Sequence, residues 1–294
     1  MISYPAAELL LDAKAVLAEG PSYLPESDSV LWVDIEVGNI HQLDLKTLEN
    51  RTIELGGKVG FVAASAKGDF IVGAREGLVR VDPNSGSSTT LATPESDLPD
   101  NRFNDGKPGP NGALWAGTMS IHETENAGSF YRLDTNGDVA KIFGDVTISN
   151  GLTWSPDRKT MYYIDTPTMR VDAFDFDLSD GLMTNRRTVI RIPDGIGYPD
   201  GMTVDAEGKL WIAMWAGWGV TRWDPDSGEL IGKIPLPVEK VTACCFAGPN
   251  LDKLVITSAS RDLSGVELEK QPLAGGLFVA SPGVVGLPGF KFEG

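Results

Sequence analysis

Short apolar runs such as VLWVDI, FIVGA, ALWAGTM, MYYID, LWIAMW and LVITS recur along the chain, separated by turns rich in Gly, Pro, Asp and Asn. Runs of this length bounded by turn residues read as buried strands. No 3.6-residue apolar pattern is sustained over three helical turns. The runs begin near Leu31, Phe70, Leu114, Met161, Leu210 and Leu254, 39 to 49 residues apart, the spacing of propeller blades. Each is followed by a further strand (NIHQLDL, GLVRVDP, GSFYRLD, RVDAFDFD, GVTRWDP, GGLFVAS), and the first five then by a more polar one (NRTIEL, STTLAT, VAKIFG, RRTVIRI, LIGKIPL). The sixth unit lacks a partner after GGLFVAS, and the N-terminal AAELLLDAK can supply it, with Leu9 to Leu11 as a short buried strand. Such closure leaves few exposed sheet edges. The pattern predicts an all-β fold, a single six-bladed β-propeller domain over residues 1–294 closed by its two chain ends. Two packed β-sandwiches would not explain six similar units.

Four of the six units also have a polar turn about ten residues ahead of their aromatic-rich strand, best seen in Tyr198 to Trp215. Glu19-Gly20, Asn104-Asp105-Gly106, Asn150-Gly151 and Asp200-Gly201 all fit this grammar. Any one such pair reads as an ordinary turn. At matching offsets in a propeller, where first strands line the channel, they gather at one mouth. The corresponding positions in units two and six, near Gly60-Phe61 and Cys244-Cys245, are apolar, so the polar set is one-sided. Two long loops, Ser120 to Gly128 and Ala259 to Gly276, return to the same face, where Trp218 also falls.

Two carboxylates and an amide oxygen converging on one point repel or stay unsatisfied unless a cation lies between them. Oxygen-only ligation suits one divalent Ca²⁺, Mg²⁺ or Mn²⁺, whereas Zn²⁺ prefers nitrogen or sulfur. With only His41 and His122 in the chain, a His-rich metal site is excluded and a Ser-His-Asp triad has little to build from. Arg102, two residues before Asn104, is placed to grip a substrate oxygen. His41 reads as structural, and the acidic run Asp172 to Asp180 as a solvated strand face.

A formal net charge of -16 argues against nucleic-acid and anionic-membrane partners. No segment reaches the roughly eighteen apolar residues of a membrane span. The N-terminus lacks the basic region of a signal peptide, and the two adjacent cysteines build no disulfide framework, so a cytoplasmic protein is expected, monomeric or weakly self-associating.

The ordered blocks LAEGP, NRFNDGK, AGTM, ISNGL, YYIDT, VDAFDFDL, PDGM, DAEGKLW, CCF and AGG resemble, over nearly the full length, the family of gluconolactonases and regucalcin, also called senescence marker protein 30. The resemblance implies a six-bladed propeller with a single divalent cation at the channel mouth. It implies Glu19, Asn150 and Asp200 as metal ligands and Arg102 and Asn104 as substrate-binding residues. Regucalcin-like members carry an acidic pair after AGTM, one Glu of which contacts the sugar. Here Ser120, Ile121 and His122 follow, with Glu123 one position later, so either His122 takes that contact or Glu123 shifts into it. The expected reaction is hydrolysis of an aldonolactone, the cation polarising the carbonyl and Asp200 taking the proton from water. The alternatives are an organophosphate or aryl-ester hydrolase, and a non-enzymatic calcium-binding protein.

Overall fold

A computed structural model describes residues 2–294. Six antiparallel sheets account for nearly all the regular structure. The first strand of each is Ala18–Leu24, Val59–Ala64, Asn101–Pro108, Ser149–Trp154, Tyr198–Val204 and Val241–Ala247. These six are the innermost strands. They touch one another in chain order and the last touches the first, which makes the ring. The protein is thus a six-bladed β-propeller. Each predicted second, third and fourth strand lies where the repeat spacing places it.

Closure also follows the prediction. Glu8–Leu11 pairs antiparallel with Leu277–Ala280 and is the outer strand of blade six. It is less buried than its apolar sequence suggests, with Leu9 40% exposed, because the outermost strand has a neighbour on one edge only. Ile2–Ser3 then adds a parallel fifth strand to blade five, against Leu230–Pro235. At the other terminus, the chain crosses the face opposite the polar turns. Gly286 bridges to Asp205, and Phe292 bridges to Ser65 and is buried. That face is therefore sealed by chain, and the polar mouth is the open one.

The core lies between blades. Leu31, Val33 and Ile40 of blade one meet Val62, Val72 and Val81 of blade two, and Trp115 and Phe130 of blade three meet Trp154 and Tyr163 of blade four. Strands buried on both faces explain the near-continuous apolar runs of the second strands. On the sealed side Asp205 is fully buried, its Oδ2 accepting from Trp211 Nε1 at 2.9 Å and from Arg222 Nη2 at 2.6 Å. The acidic run on blade four is not uniformly solvated. Asp172 is buried and holds Arg170, two residues earlier on its own strand, and Arg186 from the next strand.

One six-residue helix, Gly265–Lys270, stands in the long blade-six loop. Ser264 and Glu267 form a capping box at its start, which offsets its short length.

His41 is structural, as expected. Its ring stacks on Trp32 at 3.9 Å and its Nδ1 meets Asn50 and Thr52. Burial, opposed weakly by Asp34, lowers its pKa to about 4. Between pH 6.5 and 4 the unfolded chain binds a proton that the folded His41 refuses, so this group's contribution to stability is lost as pH falls through that window. An NMR titration is expected to show the His41 imidazole still neutral at pH 5; a His41 midpoint near 6.5 would contradict this environment.

Candidate active site

The register of every first strand slips at one place, and that place is the site. Pairing jumps between Glu19 and Ser22, Val59 and Phe61, Phe103 and Gly106, Ser149 and Leu152, Pro199 and Met202, and Val241 and Cys244. A bulge bends the strand and re-aims side chains. The equivalent positions around the ring are Glu19, Gly60, Asn104, Asn150, Asp200 and Thr242. The sixth position is thus a threonine, with Cys244 and Cys245 lying beyond the bulge as buried free thiols. The one-sidedness persists because Thr242 Oγ1 is spent on the Ala18 carbonyl at 2.6 Å and pairs with Thr257.

The glycines after Asn150 and Asp200 have a steric reason. A Cβ on Gly151 would stand 2.7 Å from the Asp200 carbonyl oxygen, and one on Gly201 would stand 2.4 Å from the Ala243 Cβ. Neighbouring bulges must approach this closely for their side chains to meet.

A second device fixes the strand entries. Asp34 at the end of one second strand accepts from the backbone N–H of Val16 and Leu17, at 2.8 and 3.1 Å, just ahead of Glu19. Asp165 does the same for Thr147 and Ile148, just ahead of Asn150. In blade five Thr166 takes over, donating to the Pro199 carbonyl at 2.8 Å, next to Asp200. Thr166 Oγ1 in turn accepts from Asn150 Nδ2 at 2.9 Å, which leaves the Asn150 Oδ1 facing Asn104 at 3.4 Å.

Asn104 is a junction. Its Oδ1 accepts from Arg102 Nη1 at 2.6 Å, and its Nδ2 donates to the Ser149 carbonyl at 2.7 Å. Arg102 Nη1 also donates to its neighbour's carbonyl, on Phe103, at 3.0 Å, leaving Nε and Nη2 free of protein partners. Burial lowers the Arg102 pKa to about 10, well above neutrality, so it stays a cation. It also borders a cleft of about 410 Å³ between blades two and three, lined by Arg75, Glu76, Leu98, Pro99 and Asn101. Glu19, Asn150 and Asp200 do not line that cleft.

Glu19, Asp105 and Asp200 are all buried. Burial, then the Asp105 charge, raises the Glu19 pKa to about 8, against the Gly20 N–H and Arg102. Burial, then Glu19 and Asp105, raises Asp200 well above the carboxylate range. Burial also raises Asp105, with Lys107 acting against it. Asp200 Oδ1 is buried with no hydrogen-bond partner. An orphaned buried acceptor costs about 1–3 kcal/mol, more if charged. Lone pairs of two crowded acids and one oriented amide oxygen are the donor set of a hard divalent cation, and these residues fit one. Among the described residues no three His, Cys, Asp or Glu side chains group to hold a metal.

His122 and Glu123 separate. His122 is exposed and stands 3.9 Å from Asp100, outside the cluster. Glu123, in left-handed backbone at φ 54°, turns to Arg261 at 3.8 Å and is among the charges felt by Arg102. Thr166, Asp34 and Asp165 have no role in the sequence reading, and Asp105 enters it only as part of the Asn104-Asp105-Gly106 turn. Strict strand alternation would put Asn104 and Asp105 on opposite faces, and only the bulge buries both.

A six-bladed propeller with an acidic, amide-lined open mouth is the class that fold and site define. Residues 17–260 match the family model described as SMP-30/Gluconolactonase/LRE-like region, and the chain belongs to this family. It is 37% identical to regucalcin of Xenopus laevis over 284 residues, 95% of each chain. It is 36% identical over 288 residues to "Putative sugar lactone lactonase YvrE" of Bacillus subtilis (strain 168), covering 98% of this chain and 99% of that one. The crystal structure of a calcium-binding protein, regucalcin, from Agrobacterium tumefaciens str. C58 superposes with a TM-score of 0.94 at 32% identity, over 99% of this chain and 98% of that one.

Proposed function

We propose that the protein hydrolyses sugar lactones to the corresponding aldonic acids, using one divalent cation held by Glu19, Asn150 and Asp200. The orphaned, buried Asp200 Oδ1 amid a second acid and an oriented amide carries this reading. The lactonase name of the Bacillus relative and the calcium-binding description of the Agrobacterium one support it, with Ca²⁺ as the first choice of ion. When bound, the ion supplies a Lewis acid for the lactone carbonyl and for the negative charge that develops on it.

The chain's own residues do the rest. Arg102, locked by Asn104, offers Nε and Nη2 to substrate oxygens at a fixed angle. Asp200 accepts a proton from the attacking water as its oxygen bonds to the carbonyl carbon. The ring C–O bond then breaks, and the proton passes to the departing alkoxide, which leaves as the sugar acid's hydroxyl. Glu123 is the better placed of the two residues after AGTM to touch the substrate, since its charge acts on Arg102 whereas His122 is exposed beside Asp100. Two free, buried cysteines fit a reducing, cytoplasmic compartment.

Acid release from glucono-, galactono-, xylono- and arabinono-lactones, corrected for spontaneous opening, tests the reading. Turnover of at least one lactone is expected. Turnover confined to aryl esters or phosphotriesters would move the activity to the other hydrolase class.

A further inference from the structure

The cleft between blades two and three adjoins the proposed reaction site, and the reaction leaves it unused. Two loops of the open face wall it. One is the turn between the blade-two strands Phe70–Ala74 and Gly77–Val81, and the other is the segment 93–100 that leads into Asn101–Pro108. Its volume of about 410 Å³ falls within the range of small-molecule sites, about 300–1,000 Å³. Of the residues assigned to substrate or cation, Arg102 alone lines it. Arg102 Nη1 reaches Asn104 Oδ1 at 2.6 Å, and Asn104 Nδ2 reaches Asn150 Oδ1 at 3.4 Å. Two side-chain contacts therefore lead from the cleft to a proposed cation ligand.

The walls are fixed without a ligand. Glu95 spends both carboxylate oxygens on them: Oε1 accepts from Thr118 Oγ1 at 2.9 Å and from the Tyr131 hydroxyl at 3.0 Å, and Oε2 accepts from Asn101 Nδ2 at 3.0 Å. The Leu98 N–H donates to the Glu95 carbonyl and the Asn101 N–H to the Leu98 carbonyl, both at 2.9 Å. From blade two, Arg75 Nη2 donates to the Pro99 carbonyl at 3.0 Å. Pro94 and Pro99 hold their own φ angles in the same segment. A preformed site gives up less freedom when a ligand binds.

The lining has two chemistries. Pro94, Leu98 and Pro99 present carbon, and Leu98 is 43% exposed although apolar. Arg102 is 4% exposed, with Nε and Nη2 free of protein partners, and Glu76 and Ser96 add polar atoms. An alkyl or aryl group filling the cleft would cover the Arg102 donors without satisfying them, which is unfavourable for a buried charge. A sugar ring has both surfaces that the lining calls for: C–H faces for the prolines and the leucine, and hydroxyl oxygens for the guanidinium. A monosaccharide lactone held at Glu19, Asn150 and Asp200, none of which lines the cleft, has no second ring to place there.

We propose that the cleft is a subsite for a second sugar ring. The preferred substrate is then the lactone of a glycosylated aldonic acid, its lactone ring at the cation residues and its glycosyl ring past Arg102. The assignment rests on the lactonase reading. It makes Ser96 and Leu98 specificity-determining positions and leaves the ester to the cation residues and Asp200.

The experiment compares kcat/KM for gluconolactone, cellobionolactone, maltobionolactone and δ-decalactone in the wild type, Ser96→Trp and Leu98→Ala. Thermal melting of each variant is recorded to establish that it is folded. Ser96 is exposed, so an indole there adds bulk to the cleft and leaves the core alone. At least one disaccharide lactone is expected to be favoured over gluconolactone by about tenfold or more in the wild type. That preference is expected to fall about tenfold in Ser96→Trp and about threefold in Leu98→Ala, with gluconolactone turnover within about twofold of the wild type. Equal or lower kcat/KM for both disaccharide lactones, or a preference that survives in folded Ser96→Trp, overturns the subsite and leaves the lactonase reading standing. If Ser96→Trp does not fold, an unchanged preference in Leu98→Ala overturns it. Preference for δ-decalactone overturns the sugar ring as occupant. No hydrolysis of any of these lactones overturns the lactonase reading and this inference with it.

Discussion

Replacing Asp200 by Asn is expected to lower kcat for lactone opening by a factor of about 10² to 10⁴, the contribution of a positioned general base. Asn keeps the volume and one carbonyl oxygen but removes the proton acceptor. The position demands such a near-isostere, because Asp200 is buried and Gly201 lies against Ala243. A carboxylate shared with a cation is a weaker base, so the comparison must be made with the cation bound. Equilibrium dialysis of Ca²⁺ with the variant provides that control. Near-normal turnover by a cation-loaded Asp200→Asn variant would remove Asp200 from the role of base. A variant that loses both cation and turnover would mark it as a ligand first, and adding excess Ca²⁺ would then restore rate.

Cation binding is expected to be strongly linked to pH, for reasons visible in the cation-free site. Glu19 is raised to about 8, by burial first and the Asp105 charge next, and Asp200 is raised by burial first and by Glu19 and Asp105 next. At pH 5 a cation must displace protons from these acids; as pH rises past 8 it meets Glu19 increasingly ionised. The sign for the cation-free protein follows from the same shifts. Glu19 holds its proton more tightly when folded, so its contribution is complete below the unfolded value and is lost as pH rises toward 8. Ca²⁺ removes that loss. The gain in thermal stability on adding Ca²⁺ is therefore expected to grow from pH 5 to pH 8.5, reaching about 2.7 kcal/mol at a hundredfold excess over Kd. Calorimetry in buffers of different ionisation enthalpy should show proton release at pH 7. An equal gain at both ends of the pH range would contradict a site built on these two acids.

The propeller was legible because its signals are local and repeated. Six apolar runs at near-constant spacing, each ended by turn residues, leave few other architectures, and the missing sixth outer strand pointed to Glu8–Leu11. The polar positions at matching offsets were legible for the same reason, and the structure brings Glu19, Asn104, Asn150 and Asp200 to equivalent bulges. What remained hidden depends on register and on distance in space. Asp105 is one residue from Asn104, and alternation would have sent it elsewhere. Thr166 orients Asn150 from the far end of the same hairpin, through a hydrogen bond that no short motif encodes. Arg261 meets Glu123 from a loop more than a hundred residues further along the chain. The separation of His122 from Glu123 likewise comes from loop backbone, with Glu123 in a left-handed conformation that residue type alone does not announce.

An oxygen-ligated cation at Glu19, Asn150 and Asp200, as proposed, makes lactone hydrolysis depend on the ion. The most direct test is acid release from a lactone that the wild type turns over, by protein stripped with chelator and then titrated with Ca²⁺. Turnover is expected to be lost on stripping and to recover on titration, with no recovery in Asn150→Ala at the Ca²⁺ level that restores the wild type. Full turnover by stripped protein, or recovery of Asn150→Ala at the same Ca²⁺ level, would rule out a cation held at these three residues as the driver of hydrolysis.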